Sequence, residues 1–274
     1  MTLRCTVRGC REGLAREGDR LVCSRGHAFD RAREGYWNLL QPQDRKAARP
    51  GDRDEALSAR RRWLARGFAD GLVEAIVETI GPSRPAGAAI DVGCGEGSVT
   101  ARVFRRIEGE AYGVDLSARA LRLAARSAPG IVWIAANADR ELPFVDASAG
   151  LAVSVFGRRP GAELARVLRP DGALIVVVPG EDDLAELREA AQGRATARDR
   201  VEGVLDALAP AFALRARRAF AHRARHDRAA LADALAMTYR GARSRERERI
   251  AALDALEVTL SAEILSLARP SRVR

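Results

Sequence analysis

From residue 88 onward the chain alternates short, nearly uninterrupted apolar runs with segments whose apolar residues recur every three or four positions. The runs AAIDVG (88–93), AYGVDLS (111–117), IVWIAA (131–136), AGLAVSVF (149–156) and GALIVVVP (172–179) read as strands. Val99 to Ile107, Ala118 to Ser127 and Gly161 to Leu168 read as helices. Strands apolar on both faces, separated by helices, predict a parallel sheet covered on both sides, an α/β fold. Two later stretches, FALRARRAF and LEVTLSAEILSLA, follow helical segments and are expected to extend the sheet by a hairpin-like end. Upstream, Leu57, Leu64, Phe68, Leu72, Ile76 and Ile80 keep helical spacing and predict one helix from Glu55 to about Ile80. Its crowded ARRRWLAR stretch places Arg60, Arg61 and Arg62 either toward RNA or on a solvated helix face.

The stretch from Gln41 to Asp54 is polar, punctuated by Pro42, Pro50 and Gly51, and reads as a linker or mobile loop. The segment before it is short of core formers apart from Phe29, Tyr36, Trp37, Leu39 and Leu40, a cluster expected to pack that segment. It also holds most of the cysteines. Cys5 and Cys10 make a C-x4-C pair, and Cys23 and His27 a C-x3-H pair twelve residues later. Both spacings suit a structural zinc site, in which two tight turns each offer two ligands and together close a tetrahedron. A Cys3His set leaves no open position, so such a metal is structural; the competing reading is a set of unrelated buried cysteines. These signals divide the chain into a zinc-binding module (1–45), a basic linker and helix (46–80) and a larger α/β domain (81–274).

Composition narrows the options. At 47% hydrophobic residues the chain can bury a core. No apolar run approaches the roughly 18 residues of a membrane span, and the N-terminus lacks the apolar centre of a signal peptide. A cytoplasmic protein without a membrane partner is expected. The net charge of +9, carried almost wholly by arginine with Lys46 the only lysine, suits a polyanionic partner, or else reflects a GC-rich genome. His222 and His226 lie four apart with no third ligand nearby and read as surface residues.

The chemistry concentrates in AIDVGCGEGSVT, residues 89–100. Gly93, Gly95 and Gly97 form G-x-G-x-G, whereas the dinucleotide fingerprint needs its third glycine where Ser98 stands. The turn also lacks the lysine of a phosphate-binding loop. Asp91, two residues before the first glycine, would repel a pyrophosphate and favours a cationic ligand. Cys94 reads as a small packing residue.

The stretch DVGCGEG resembles motif I of the class I, Rossmann-like methyltransferases, which implies S-adenosylmethionine as cofactor. By that resemblance Asp91, Gly93, Gly95, Glu96 and Gly97 form the cofactor turn, and Asp115 in GVDLS accepts the ribose hydroxyls. NADRELPF is similar to the adenine-contacting segment. Many relatives carry a carboxylate where Ala138 stands, which leaves adenine to backbone groups there or to Asp139. LARVLRPDGALIVVVP continues the family's order. The competing reading is a nucleotide-free α/β domain that uses its glycines for packing.

The cysteine pairs, followed by H-x-F-D, AREGYWNLLQPQ, PGD and ARRRWL, resemble the N-terminal part of the RlmA family of bacterial 23S ribosomal RNA guanine-N1 methyltransferases. The resemblance implies one structural zinc held by Cys5, Cys10, Cys23 and His27, a module that helps recognise an RNA hairpin, 23S rRNA as partner and a homodimer. It departs from the family at RGFAD, where Phe68 and Ala69 replace a Gly-His-Tyr, at VFGRRPGAE after the fourth strand, and at Asp183, where relatives tend to carry histidine. Guanine N1 bears a proton that must leave before attack. Phe156 is therefore a candidate stacking surface and Asp183 a candidate proton acceptor, with Arg158 and Arg159 available to phosphates. The plainer roles of a core ring and a helix-start carboxylate stay open for Phe156 and Asp183. A small-molecule methyltransferase and a catalytically idle RNA-binding protein are the rival functions.

Overall fold

The computed structural model describes residues 2–44, 53–82, 85–194, 199–209, 211–238 and 244–270. Four short strands come first: β1 (Leu14–Glu17), β2 (Arg20–Cys23), β3 (Ala28–Asp30) and β4 (Trp37–Asn38). Two helices follow, α1 (Asp54–Ala65) and α2 (Asp70–Ile80). The alternating region comprises β5 (Ala88–Val92), α3 (Ser98–Phe104), β6 (Ala111–Asp115), α4 (Ala118–Ser127), β7 (Val132–Ala135), β8 (Ala149–Val155), α5 (Gly161–Val167) and β9 (Leu168–Pro179). The chain then forms α6 (Ala185–Gln192), α7 (Val201–Leu208), β10 (Ala213–Asp227), α8 (Arg228–Thr238), α9 (Ser244–Ala251) and β11 (Ala255–Ala268).

β1, β2 and β3 make a small antiparallel sheet, and the remaining strands make one large sheet in the order β10-β11-β9-β8-β5-β6-β7-β4. The run from β9 to β4 is parallel, as expected for apolar strands joined by helical crossovers. Every residue of β5 and β8 is buried, which places them at the centre. From β5 the sheet grows through β6 and β7 in one direction and through β8 and β9 in the other. Strand order therefore reverses between β5 and β8, and a crevice opens beyond their carboxyl ends, where ligands of such sheets bind. One face is covered by α5 and α7, the other by α2, α3, α6 and α8.

Three expectations need correction. The single helix over 55–80 is two helices, because Gly67 takes φ +83° and ends the first run; Asp70 N then donates to Gly67 O at 3.0 Å as the second begins. The hairpin-like end is longer than expected and carries α8 and α9 in its connection. β9 pairs only with Ala262 to Ala268 of β11, so residues 255–261 and their β10 partners run on beyond the sheet as a two-stranded arm, on the side where the crevice opens. His226 on that arm is not a surface residue. It is 2% exposed and stacks on Phe68 with ring centroids 3.9 Å apart, with Trp63 next to both. Strand alternation turns His226 and Phe220 toward the helices while their neighbours face outward.

The aromatic cluster of the first segment also packs beyond that segment. Trp37 lies opposite Ile134 in the β4–β7 pairing, and Tyr36 packs on Leu121 and Ala124 of α4. Leu14, Leu21, Phe29 and Leu39 join the same apolar layer as Ile90 and Val92 of β5. The polar stretch after Gln41 begins with an anchored residue rather than a loose one. The buried Asp44 accepts from Arg140 Nη2 at 2.7 Å and Nε at 3.1 Å, from Asn137 Nδ2 at 3.0 Å and from Gln41 N at 2.8 Å. Arg140 Nη1 donates to Thr6 O at 3.1 Å, which closes the link between the ribbon and the loop after β7. Residues 45–52, including Lys46, Pro50 and Gly51, lie outside the described residues.

Burial alone would raise the Asp44 carboxyl, but the hydrogen bonds from Arg140, Gln41 N and Asn137 and the Arg140 charge together outweigh that and hold it below the usual carboxylate range. The stability it contributes is thus present above the unfolded carboxylate pKa and lost as pH falls through the lowered folded value. Arg140→Ala leaves this carboxylate buried without its cation and should lower the unfolding free energy by about 3 kcal/mol, measured by urea denaturation at neutral pH.

Candidate active site and zinc centre

The turn after β5 is shaped by its glycines. Gly93, Gly95 and Gly97 all have positive φ, at +81°, +58° and +82°. Gly97 precedes α3, and a Cβ there would come within 2.6 Å of Trp133 and 2.7 Å of the Ala124 Cβ, so helix and sheet meet only because it has none. Gly95 differs: a Cβ there would meet nothing within 4 Å. Its backbone borders open space, the cradle a cofactor needs to approach the chain closely. Cys94 joins the apolar cluster around α4, and burial raises its thiol well above the ordinary range, which fits packing rather than nucleophilic attack.

Two carboxylates hold this turn. Asp115, at the end of β6, accepts from Gly95 N at 2.9 Å through Oδ2 and from Ser117 N at 2.7 Å through Oδ1. A carboxylate is an acceptor through both oxygens, the chemistry that ribose hydroxyls require. Asp91 is 3% exposed; its Oδ2 accepts from Thr100 Oγ1, while its Oδ1 is buried and without a partner. Burial, reinforced by the charge of Asp115, pushes the Asp91 carboxyl up to about 7. An unpaired oxygen on a desolvated carboxylate is a site for a donor, and a cation serves best. The donor set therefore fits S-adenosylmethionine, with an ammonium for Asp91 and a ribose for Asp115. Thr100 was not singled out from the sequence, although its place in the first turn of the helix after the glycines is the available signal. Glu96 is buried and accepts from Ser98 Oγ, folded back on the start of α3.

The loops after β7, β8 and β9 surround the crevice. Ala138 packs against the core, and the Asp139 carboxylate is engaged by Arg158. Asp139, Gly157, Arg158 and Arg159 border a cleft of 270 Å³ whose far wall is α7. Arg159 donates to Gly157 O at 2.9 Å, and burial, helped by the charge of Arg158, lowers its pKa. Phe156, the residue after β8, has φ +54° and is 37% exposed, so its ring is not a core ring. A β-side residue in the left-handed region costs energy, and such strain collects at functional positions. Asp183 leaves the sheet beyond β9, and its Oδ1 accepts from Ser261 N on β11 at 3.2 Å instead of capping α6. Burial pushes the Asp183 carboxyl up to about 6. Of the arginines in α1, Arg61 donates to Ser127 Oγ and the exposed Arg62 pairs with Asp233, so both are engaged by the protein's own side chains.

At the other end of the chain, Cys5, Cys10, Cys23 and His27 converge, their ligand atoms all within 4.8 Å of one another. The Sγ atoms of Cys10 and Cys23 are 3.8 Å apart, and His27 Nδ1 is 3.5 Å from Cys5 Sγ and 3.4 Å from Cys23 Sγ. A tetrahedron with bonds of about 2.3 Å to sulfur has edges of about 3.8 Å. The cluster thus has the dimensions of a zinc site with Nδ1 as the histidine ligand, and burial raises the Cys5 thiol, so metal binding must displace its proton. Chelation should release a single zinc per chain and strip hydrogen-exchange protection from β1 to β3 while leaving β5 and β8 protected. Native protein that carries no zinc would refute this assignment.

Comparison with known proteins agrees with both centres. Residues 3–49 match the RlmA N-terminal zinc-ribbon family, and residues 89–172 match the methyltransferase domain family. The chain is 39% identical over 215 residues to the 23S rRNA (guanine(748)-N(1))-methyltransferase of Streptomyces fradiae, covering 77% of this chain and 75% of that protein. It is 36% identical over 203 residues to a putative 23S rRNA (guanine-N(1)-)-methyltransferase of Micromonospora griseorubida, covering 68% of each. Among solved structures, the YcgJ protein of Bacillus subtilis superposes with a TM-score of 0.53 at 16% identity, over 73% of this chain and 98% of that one, a likeness of fold. No helix among the described residues is long and apolar enough to cross a membrane. The chain belongs to the RlmA family, S-adenosylmethionine-dependent methyltransferases that carry an N-terminal zinc ribbon.

Proposed function

We propose that this protein transfers a methyl group from S-adenosylmethionine to N1 of a guanine in a 23S rRNA hairpin. The observation that carries the reading is the joining, in one chain, of a Cys3His ribbon to a glycine turn whose buried carboxylate has one unpaired oxygen. The names of the relatives supply the substrate class. In this proposal residues 1–45 grip the hairpin by shape and backbone charge, 81–274 carry the transfer, and 46–80 bridge the two. A homodimer belongs to the same proposal and is read from the mass in solution.

S-adenosylmethionine supplies an electrophilic methyl on a sulfonium. Asp91 and the turn Gly93, Gly95, Glu96 and Gly97 bind its amino-acid end, Asp115 the ribose, and the backbone at Ala138 and Asp139 the adenine, since the Asp139 side chain is engaged by Arg158. The protein's remaining task is to align the guanine and take its proton. Phe156 offers a ring at the mouth of the crevice on which a base turned out of its stack can rest. With the cofactor bound, its methyl would pass to N1 and leave a neutral thioether, and Asp183 would take up the N1 proton. Its Oδ1 is held by Ser261 N, which leaves Oδ2 for that proton. With a carboxyl pushed up to about 6, Asp183 is ionised at neutral pH and more basic than an ordinary aspartate. Arg159, on the wall of the cleft, receives a phosphate of the target strand.

Mass mapping of unmodified 23S rRNA after incubation with the protein and labelled cofactor should find one methylated guanine whose Watson–Crick edge is blocked. Cofactor binding without transfer to RNA would overturn the proposal. Cofactor affinity should also depend on pH. An ammonium needs Asp91 ionised, so binding should tighten as pH rises from about 6 to about 8, by up to about tenfold per unit below the Asp91 pKa. Asp91→Asn should flatten that profile in calorimetric titrations, and a wild-type profile already flat would remove Asp91 from the site.

A further inference from the structure

α1 and its C-terminal cap carry four arginines, and three of them hold the helix in place. Arg61 donates to Ser127 Oγ at 3.1 Å, Arg62 pairs bidentately with the buried Asp233 of α8, and Arg66 pairs with Asp227 at the end of β10. Arg60 is half-buried and makes no hydrogen bond or ion pair among the described residues. A half-buried guanidinium that no carboxylate hydrogen-bonds keeps its fork of donors available to an anionic ligand.

Its position shows which ligand. Arg60, Trp63 and Leu64 lie three and four residues apart, on one side of α1, and Trp63 and Leu64 belong to the apolar layer that includes Ala89 of β5. Strand alternation turns Asp91 to that same face, while Ile90 and Val92 point into the opposite layer. The Arg60 charge reaches the Asp91 carboxylate, where it opposes the rise caused by burial. α1 is fixed across the crevice by contacts with both ends of α4: Asp54 with Arg119 at 3.6 Å, and Arg61 with Ser127.

We propose that Arg60 receives the α-carboxylate of S-adenosylmethionine, so that Arg60 and Asp91 form a pair of opposite charges matched to the zwitterionic end of the cofactor. The planar fork of a guanidinium suits a carboxylate, and neither Arg61 nor Arg62 is free to replace it. On the side of α1 that carries Trp63 and Leu64, Arg60 is placed to meet a small ligand beside Asp91.

The test compares two ligands on the full-length zinc-loaded protein. Decarboxylated S-adenosylmethionine keeps the sulfonium and the amine and lacks only the carboxylate. Wild type should bind the intact cofactor roughly 10- to 100-fold more tightly than the decarboxylated one, the worth of a charge-assisted hydrogen-bonded pair. Arg60→Ala should lose that preference and bind both alike; Arg60→Gln serves if the alanine variant does not fold. A preference that survives the substitution, a wild type that shows none, or an equal loss for both ligands would overturn the proposal. Weakened RNA binding with the preference intact would overturn it as well and assign Arg60 to RNA. None of these readouts requires methyl transfer to RNA, so failure here is distinct from failure of the proposed reaction.

Discussion

A desolvated carboxylate with an unpaired oxygen, that of Asp91, is the constraint around which the centre of this protein is arranged. It stands at the end of a fully buried strand, where a charge is expensive, and one hydrogen bond from Thr100 offsets only part of the cost. The surroundings are built to keep it there. Asp115 stitches the glycine turn to β6, Gly97 lets α3 close against Trp133, and α1 lies over the same face of the sheet. Such an arrangement is uneconomical for stability and useful for binding, because a cation entering the crevice meets an acceptor whose desolvation is already complete.

The zinc ribbon is welded to this centre rather than tethered to it. β4 forms the outer edge of the large sheet, and the pairing of Asp44 with Arg140 ties the ribbon to the loop that follows β7. That loop also carries Ala138 and Asp139. A small module with little core of its own thus gains a share in the larger apolar layer, while the metal supplies the closure that its few strands cannot. The link gives the ribbon a direct mechanical route to the loop that borders the cleft at Asp139.

On the opposite edge, the arm formed by β10 and β11 extends past β9 and returns α8 to pack on α1, with α9 behind it against α8 and α6. Its inner side is aromatic, with His226 enclosed against Phe68 and Trp63, and its outer positions are rich in arginine. Arg62 and Arg66 are consumed in fastening this insertion. A basic run in the sequence is therefore in part internal fastening, and net charge alone overstates the positive surface left for a polyanion.

The sequence by itself determined the class of fold and the identity of both chemical centres. Strand and helix periodicity carried the alternating region because each of those elements is decided by its own residues and the layer it faces. The cysteine spacings and the order of Asp91, the glycines and Asp115 are likewise local patterns. What depended on partners distant in the chain was not legible. Gly67 divides a helix whose apolar spacing continues across it; Trp37 and Asn38 become a strand only because β7 offers an edge. His226 is enclosed because an arm folds back on α1, and Arg60 differs from its two neighbours only through what α4, α8 and β5 place around it. Periodicity records which side of an element is buried, whereas the particular atom that meets a charge is settled by how separate elements pack, and only the tertiary structure contains that.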